Sequence, residues 1–264
     1  MDNQNGPSGW ATKGATIPLL LGCIFSTVIC IVLCAIIYLS RDFIKNDIAL
    51  IPGLIEPTPT PDPDICPKIP SEWVKVMDND FNANTYNWPL GKYTDEYSES
   101  NPKITKGLLE LSLKAFSNRG VYYYTFPALN ISPENFYFMS TVRQISGRED
   151  SRYGVIFREN GGQHYFLSIS NSGQFIVKSR NDAGAWKELW FGEHSGIIHP
   201  GENNQLVILG QDSHYTFCIN QHVVGELDNE EHTLGGFGLG ILLQHANDVS
   251  IFEYDDLIIY APAK

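Results

Sequence analysis

Of 264 residues, 30 are Asp or Glu and 18 are Lys or Arg, which gives a net charge of −12. The charges are dispersed, so the chain makes a poor partner for nucleic acid, whose binding needs clustered Lys and Arg, and is not drawn to anionic lipid. The first 70 residues hold four Lys/Arg and six Asp/Glu, which leaves −10 on a remainder long enough for one single-core domain.

Residues 1–16 form a short polar head whose only charges are Asp2 and Lys13. Residues 17–39, IPLLLGCIFSTVICIVLCAIIYL, are 23 positions without a charge. A helix of that length reaches about 35 Å, enough to cross a hydrocarbon core of roughly 30 Å. The segment predicts one transmembrane helix with the lipid bilayer as its partner. A buried helix of a soluble protein would carry a polar stripe or end sooner. A cleaved signal peptide would need a shorter apolar run and small residues at its cleavage site, and neither end offers an A-x-A pattern. Leu20-Leu21-Gly22-Cys23 loosely resembles a lipoprotein cleavage box, but few apolar residues precede it.

Residues 40–70 read as a juxtamembrane segment and a Pro-rich stalk. Arg41 and Lys45 would pull this side of the span inward by the positive-inside rule. Against them stands EPTPTPDPDICP (56–67), which stays extended because Pro fixes φ and lacks the N–H that helices and sheets use. The β-rich, Tyr-rich composition beyond it also suits export. The expectation is a cell-membrane protein with a cytoplasmic head, a single-pass signal-anchor and an extracytoplasmic domain over 71–264. Cys23, Cys30 and Cys34 fall in the span and behave as small apolar residues there. Cys66 and Cys218 lie outside it. A bridge between those two would fasten stalk to domain in an oxidising compartment, but sequence sets no distance between them.

Beyond Ser71 the chain alternates short strand-like segments with turn residues. They are 73–77, 108–113, 121–126, 136–145, 153–158, 164–170, 174–180, 185–191, 204–210, 214–219, 222–227, 236–244 and 249–260. Glu159-Asn-Gly-Gly162, Asn171-Ser-Gly173 and Asn181-Asp-Ala-Gly184 supply residues that tolerate positive φ, as hairpin turns require. No stretch keeps a helical period. The pattern predicts an all-β fold, an antiparallel jelly-roll sandwich behind one transmembrane helix.

Several motifs fall in a familiar order. They are Asp78-Asn-Asp80-Phe81 with Trp88-Pro89, the strand Tyr153-Gly154-Val155-Ile156-Phe157-Arg158, and the aromatic hairpin from Tyr165 through Gly173 to Lys178. Trp186 follows, then Asn204, Leu206, Ile208 and Gly210, then Phe217-Cys218-Ile219-Asn220-Gln221 with Gln where the pattern has Gly. Gly236-Phe-Gly238-Leu-Gly240 and Tyr254-Asp255-Asp256-Leu257 close the series. This order resembles the concanavalin A-like lectin/glucanase superfamily, as in laminin-G-like and 3-keto-disaccharide hydrolase-like domains, over about 75–260. The resemblance implies a ligand on the concave sheet or its rim loops.

Catalytic machinery is not recognisable. The hydrolase-type branch has a carboxylate beside the hairpin aromatic, where this chain has Phe166, and no ExDxxE string offers glycosidase acids on one strand face. Asp255-Asp256 and Glu230-Glu231 are adjacent, so within a strand they point to opposite faces. There is no GxSxG elbow, and Gly235-Gly-Phe-Gly-Leu-Gly240 lacks the helix and Lys of a phosphate loop. His194 and His199 read as loop histidines. The domain therefore reads as a non-catalytic module binding a glycan or another cell-surface ligand. A glycoside-active hydrolase related to 3-keto-disaccharide hydrolases and a protein-binding adhesive module are the alternatives.

Sugar recognition calls for an aromatic plate and Arg, Asn or Asp side chains to hydrogen-bond hydroxyls. Arg143, Arg158, Tyr165, Lys178, Arg180, Trp186 and Trp190 supply those types. Arg158, Lys178 and Arg180 alternate with neighbours so as to share a non-core face, and Trp186 with Trp190 is the expected stacking platform. The competing assignment puts both tryptophans in the core and the basic residues in rim ion pairs. No cofactor is required. A structural calcium ion held by Asp78, Asp80 and Asp255, where first and last strands meet, is the one metal the sequence suggests.

Overall fold

The computed structural model describes residues 65–129, 131–193 and 196–263. The expected span over 17–39, the head, Arg41, Lys45 and His194 lie outside the described residues. Among the described residues no helix is long and apolar enough to cross a membrane.

Strand follows strand. In chain order they are β1 (Trp73–Asn79), β2 (Tyr93–Thr94), β3 (Ser98–Thr105), β4 (Leu108–Ala115), β5 (Val121–Thr125), β6 (Phe136–Ser146), β7 (Arg152–Asn160) and β8 (Gln163–Ser170). There follow β9 (Gln174–Arg180), β10 (Trp186–Glu193), β11 (Asn204–Gln211), β12 (His214–Ile219), β13 (His222–Asp228), β14 (Gly236–Leu243) and β15 (Val249–Pro262). They make two antiparallel sheets, the all-β sandwich expected from the alternation. A nine-stranded sheet runs β13-β12-β11-β6-β15-β4-β3-β2, with β1 also on β15, and a six-stranded sheet runs β10-β9-β8-β7-β14-β5.

Period-two burial orients most strands. Leu109, Leu111, Leu113 and Ala115 of β4 turn inward, as do Phe136, Phe138, Ser140 and Val142 of β6. Facing them, Tyr153, Val155 and Phe157 of β7, Tyr165 and Leu167 of β8, and Phe237 and Leu239 of β14 fill one continuous core. Phe237 packs edge-on against Phe136 at 4.8 Å and stacks on Phe138 at 5.5 Å, so its ring joins the sheets. Each such buried side chain contributes about 1.5–3 kcal/mol of transfer free energy. The Tyr254 hydroxyl donates to the Gly240 carbonyl at 3.0 Å, a polar tie between β15 and β14.

β2 and β3 were not foreseen in the sequence. β3 reads SESNPKIT, and it turns Ser98, Ser100 and Pro102 inward with Ile104 as the one apolar residue packed on the core, so it lacks the apolar alternation that marks a strand. β2 pairs only with Glu99 and Ser100, so Pro102 lies beyond that partner strand. β7, β8 and β14 depart from alternation in the other direction, being buried almost throughout. Something therefore covers the outer face of the six-stranded sheet.

Cys66 and Cys218 form a disulfide with Cα atoms 5.8 Å apart, across 152 positions of sequence. The Cys66 N–H donates to the Gln221 carbonyl at 2.9 Å, and Ile65 bridges to His222. Cys66, Ile69 and Trp73 pack on Tyr137, Val207 and Leu209, on the outer face of the nine-stranded sheet. The described lead into the domain is thus fastened to that sheet. Replacing both cysteines with Ala is expected to lower the unfolding free energy by about 2–4 kcal/mol in urea titration. A change below about 1 kcal/mol would contradict a stabilising bridge.

Candidate functional site

The outer face of the six-stranded sheet is assembled from three rows of cross-strand partners. One row runs Leu242, Arg152 and Ser170; the next Gly240, Gly154, Ser168, Ile176 and Phe191; the third Gly238, Ile156, Phe166, Lys178 and Glu188. His164, Arg180 and Trp186 extend it beyond the third row. The glycines are sterically required. A Cβ at Gly238 would strike the Phe126 ring, one at Gly240 would lie 2.9 Å from Phe166, and one at Gly154 would collide with the Leu167 carbonyl.

Bulky side chains from both edges fold over this small-residue floor. Tyr122 of β5 stacks on Trp186 of β10 with ring centres 4.5 Å apart and planes 17° from parallel. β5 and β10 are opposite edge strands, so the twist and curl of the sheet bring diagonally opposed positions together above its middle. Trp186 also contacts His164 at 5.3 Å and Phe166 at 6.3 Å, while Tyr124 and Phe126 reach His164 at 5.6 and 6.5 Å. With Ile156 and Leu242, Phe166 forms a small apolar cluster under Tyr122, Phe126 and Trp186. This cover explains why β7, β8 and β14 are buried on both faces.

Polar groups are caught beneath and beside the cover. Arg152 is only 8 % exposed; its Nη2 donates to Gln174 Oε1 at 2.9 Å, while its Nη1 is buried without a hydrogen-bond partner. Lys178 Nζ reaches the Tyr122 hydroxyl at 3.5 Å and lies opposite Glu188 in the pairing. None of the ion pairs among the described residues includes Arg152 or Lys178. Burial lowers the pKa of Lys178, the Arg152 charge lowers it further, and Glu188 opposes both. His164 is fully buried with neither ring nitrogen hydrogen-bonded, and burial, then the charge of Arg180, push its pKa down to about 4. The Ser168 hydroxyl is likewise buried and unpartnered.

The residues expected to bind ligand are divided by the structure. Lys178, Arg180 and Trp186 come together on this face. Arg180 Nη1 donates to the Gly162 carbonyl at 2.7 Å, and its guanidinium lies 5.9 Å from the centre of the Tyr124 ring. Arg158 does not share that face. A bulge between Phe157 and Asn160, with φ of 60° at Arg158, turns its side chain into the core, where it is 0 % exposed. Tyr165 is also a core residue; its hydroxyl donates to Asn229 Oδ1 at 2.6 Å and accepts from the His232 N–H at 2.9 Å.

Arg143 lies on the opposite side of the sandwich, ion-paired with Glu253. Trp190 is likewise separated from Trp186. A bulge between Glu188 and Trp190 inverts the alternation, and the Trp190 indole lies where a Cβ on Gly225 of β13 would be, 2.7 Å from its Nε1. The partner of Trp186 is Tyr122, which period-two reading places on a strand but cannot place across a curled sheet. Arg152 stands at the start of a strand in sequence and on the floor of this face in three dimensions.

The carboxylates considered for calcium each have a partner of their own. Asp78 pairs with Lys75 at 2.7 Å, and Asp80 accepts from the Asn82 N–H at 3.0 Å and its Nδ2 at 2.6 Å. Asp255 accepts from the Asp256 N–H at 2.8 Å, and burial followed by the Asp256 charge raises its pKa. Among the described residues no three His, Cys, Asp or Glu side chains are grouped to hold a metal ion.

No protein-family model matches the chain. No curated protein matches its sequence. Solved structures do resemble it in fold. The GlcNAcα1-4Gal-releasing endo-β-galactosidase from Clostridium perfringens superposes with a TM-score of 0.55 at 10 % identity, over 76 % of this chain and 66 % of that one. A Bacillus subtilis protein of unknown function with a galectin-like fold gives 0.54 at 10 % identity, over 73 % of this chain and 99 % of its own. The Bacillus licheniformis β-glucanase gives 0.52 at 12 % identity, over 71 % and 98 %. The fold is thus the concanavalin A-like, galectin-like sandwich.

The buried neutral imidazole has a consequence for stability. The His164 pKa of about 4 lies below the ordinary 6.5, so between those values the unfolded chain binds a proton that the folded chain does not. Its contribution is fully present above pH 6.5 and is lost as the pH falls towards 4, by on the order of 3 kcal/mol at most. His232, whose pKa burial also lowers, acts in the same direction. In urea titrations at neutral and at about pH 4.5, His164→Phe is expected to flatten the loss of stability, and an unchanged slope would contradict it.

Proposed function

We propose that this chain is a membrane-anchored, extracytoplasmic binding module whose sandwich recognises carbohydrate on the outer face of its six-stranded sheet without cleaving it. One observation carries the reading: the stacked Tyr122–Trp186 pair stands beside Lys178, Arg152 and Gln174 on one sheet face. An aromatic plate beside fixed hydrogen-bonding groups is the combination that holds the apolar face and the hydroxyls of a sugar ring. Several solved structures of this fold carry names of glycan-acting enzymes, including an endo-β-galactosidase and a β-glucanase. That likeness supports the ligand class and leaves the chemistry to the residues of this chain.

Those residues argue against hydrolysis. Up to the bulge at Arg158 the outward positions of β7, β8 and β14 are Arg152, Gly154, Ile156, His164, Phe166, Ser168, Ser170, Gly238, Gly240 and Leu242, with no carboxylate, and Glu159 past the bulge accepts from the Gly162 N–H at 3.1 Å. Glu188 and Glu193 both sit on the edge strand β10, roughly 15 Å apart at the rise of a strand. Glycosidase acids flank one bond at about 5–9.5 Å. Phe166, where the related hydrolases have an acid, lies buried under Trp186.

The anchoring half of the proposal rests on the uncharged run 17–39 and the Pro-rich stalk that follows it. The Cys66–Cys218 disulfide supports an oxidising, extracytoplasmic setting for the domain. It also holds the described lead on the nine-stranded sheet, leaving the opposite sheet face clear of it.

The purified full chain on a glycan array tests the reading. Binding to at least one saccharide class is expected, with no release of reducing sugar. Trp186→Ala is expected to weaken that binding by about tenfold or more while the thermal unfolding transition remains cooperative. Binding of no saccharide, or turnover of one, would overturn the proposal.

A further inference from the structure

In a chain of net charge −12, Arg152 and Lys178 close no ion pair among the described residues, and Glu188 acts on both only at longer range. Arg152 is more than nine-tenths buried and holds one neutral acceptor, Gln174 Oε1, with Nη1 unpartnered. Lys178, half-buried, has a phenol hydroxyl at 3.5 Å. The carboxylates that approach this end of the sheet are otherwise engaged or too far. Glu193 accepts from Gln174 at 3.1 Å, Asp150 is held by Arg148 and His245, and Glu188 opposite Lys178 does not close to an ion pair. An unsatisfied buried donor is costly, more so when it is charged, and native structures rarely keep one without a use.

We propose, building on the carbohydrate reading above, that the saccharide taken on this face is acidic, with Arg152 and Lys178 receiving its carboxylate or sulfate group beside the Tyr122–Trp186 wall. A planar guanidinium presents paired N–H donors to either anion, and such charge-assisted bonds are about twice as strong as neutral ones. Lys178 adds a second point charge across the sheet. The Lys178–Tyr122 contact is long enough to yield to an anion, which would draw Nζ away from the phenol and leave the Tyr122 ring stacked on Trp186. The Ser168 hydroxyl, also without a partner, lies on the same floor.

Calorimetric titration of the full chain with four probes decides the matter: a galacturonate oligosaccharide, its methyl ester, a sulfated galactan oligosaccharide and the neutral galactan. At least one acidic probe is expected to bind about tenfold or more tighter than its uncharged counterpart, and more weakly as salt is raised. Preference between galacturonate and sulfated galactan assigns the anion as carboxylate or sulfate. Lys178→Gln is expected to remove most of the preference, Lys178→Arg to keep it, and Lys103→Gln, on the nine-stranded sheet, to leave it unchanged. Arg152→Gln should act like Lys178→Gln; if it fails to fold, the lysine variants still decide. Equal binding of acidic and neutral probes, or a preference that Lys178→Gln does not alter, would overturn the acidic assignment while the carbohydrate reading stands. Binding of no saccharide would overturn both.

Discussion

Arg158 is a fully buried cation with no carboxylate beside it, and one end of the sandwich is assembled around it. Its Nε donates to the Tyr215 hydroxyl at 3.2 Å, Nη1 to the Pro133 carbonyl at 2.8 Å, and Nη2 to the carbonyls of Glu134 at 2.6 Å and Asp212 at 3.3 Å. The Phe136 ring lies 4.9 Å from its Cζ. These partners come from β6 and the loop before it, from β12, and from the turn between β11 and β12, all on the far side of the core from β7. Desolvating a guanidinium costs several kcal/mol, and fixed carbonyl dipoles repay it only when every donor is met. Here every nitrogen is engaged, so the residue joins the two sheets.

The bulge that delivers Arg158 also shapes the outer face of its sheet. It shifts the pairing of β7 with β8 and with β14, and Gly235 there has φ of 151° and no room for a Cβ, which would collide with the Arg158 backbone. The sheet curls enough for rings from both edge strands to meet over Ile156, Phe166 and Leu242. Core and candidate site are therefore two sides of the same strands. The small residues that allow the curl also form the floor, and the charged ones that the core rejects are left on it.

Much of this was legible in the sequence. Alternation in β4, β6 and β15 and the Gly- and Asn-bearing turns were enough to predict an antiparallel sandwich, and the order of motifs was enough to anticipate the concanavalin A-like fold. What escaped has physical causes. β3 buries serine and proline where a strand usually buries aliphatics. Arg158 and Trp190 leave the face that alternation implies because a one-residue bulge inverts every later side chain, and hydrophobic pattern does not record bulges. Lys178 and Arg180 share the outer face, as their alternation implies, because β9 pairs with β8 without a bulge. Tyr122 and Arg152 were missed because their roles depend on the curvature of the whole sheet. The Cys66–Cys218 bridge was left open for the same kind of reason, since 152 positions of sequence carry no distance.

A saccharide bound across the six-stranded sheet would touch the sheet edges before the middle, because the Tyr122–Trp186 stack stands over the central strands. Hydrogen–deuterium exchange of the full chain, with and without a bound acidic saccharide, locates the contact directly. Slower exchange is expected in 121–126 and 174–193, with the nine-stranded sheet unchanged. Protection confined to β4, β6 and β11, or to the loops around 131–135, would place the ligand elsewhere and contradict a binding face built on Tyr122, Lys178 and Trp186.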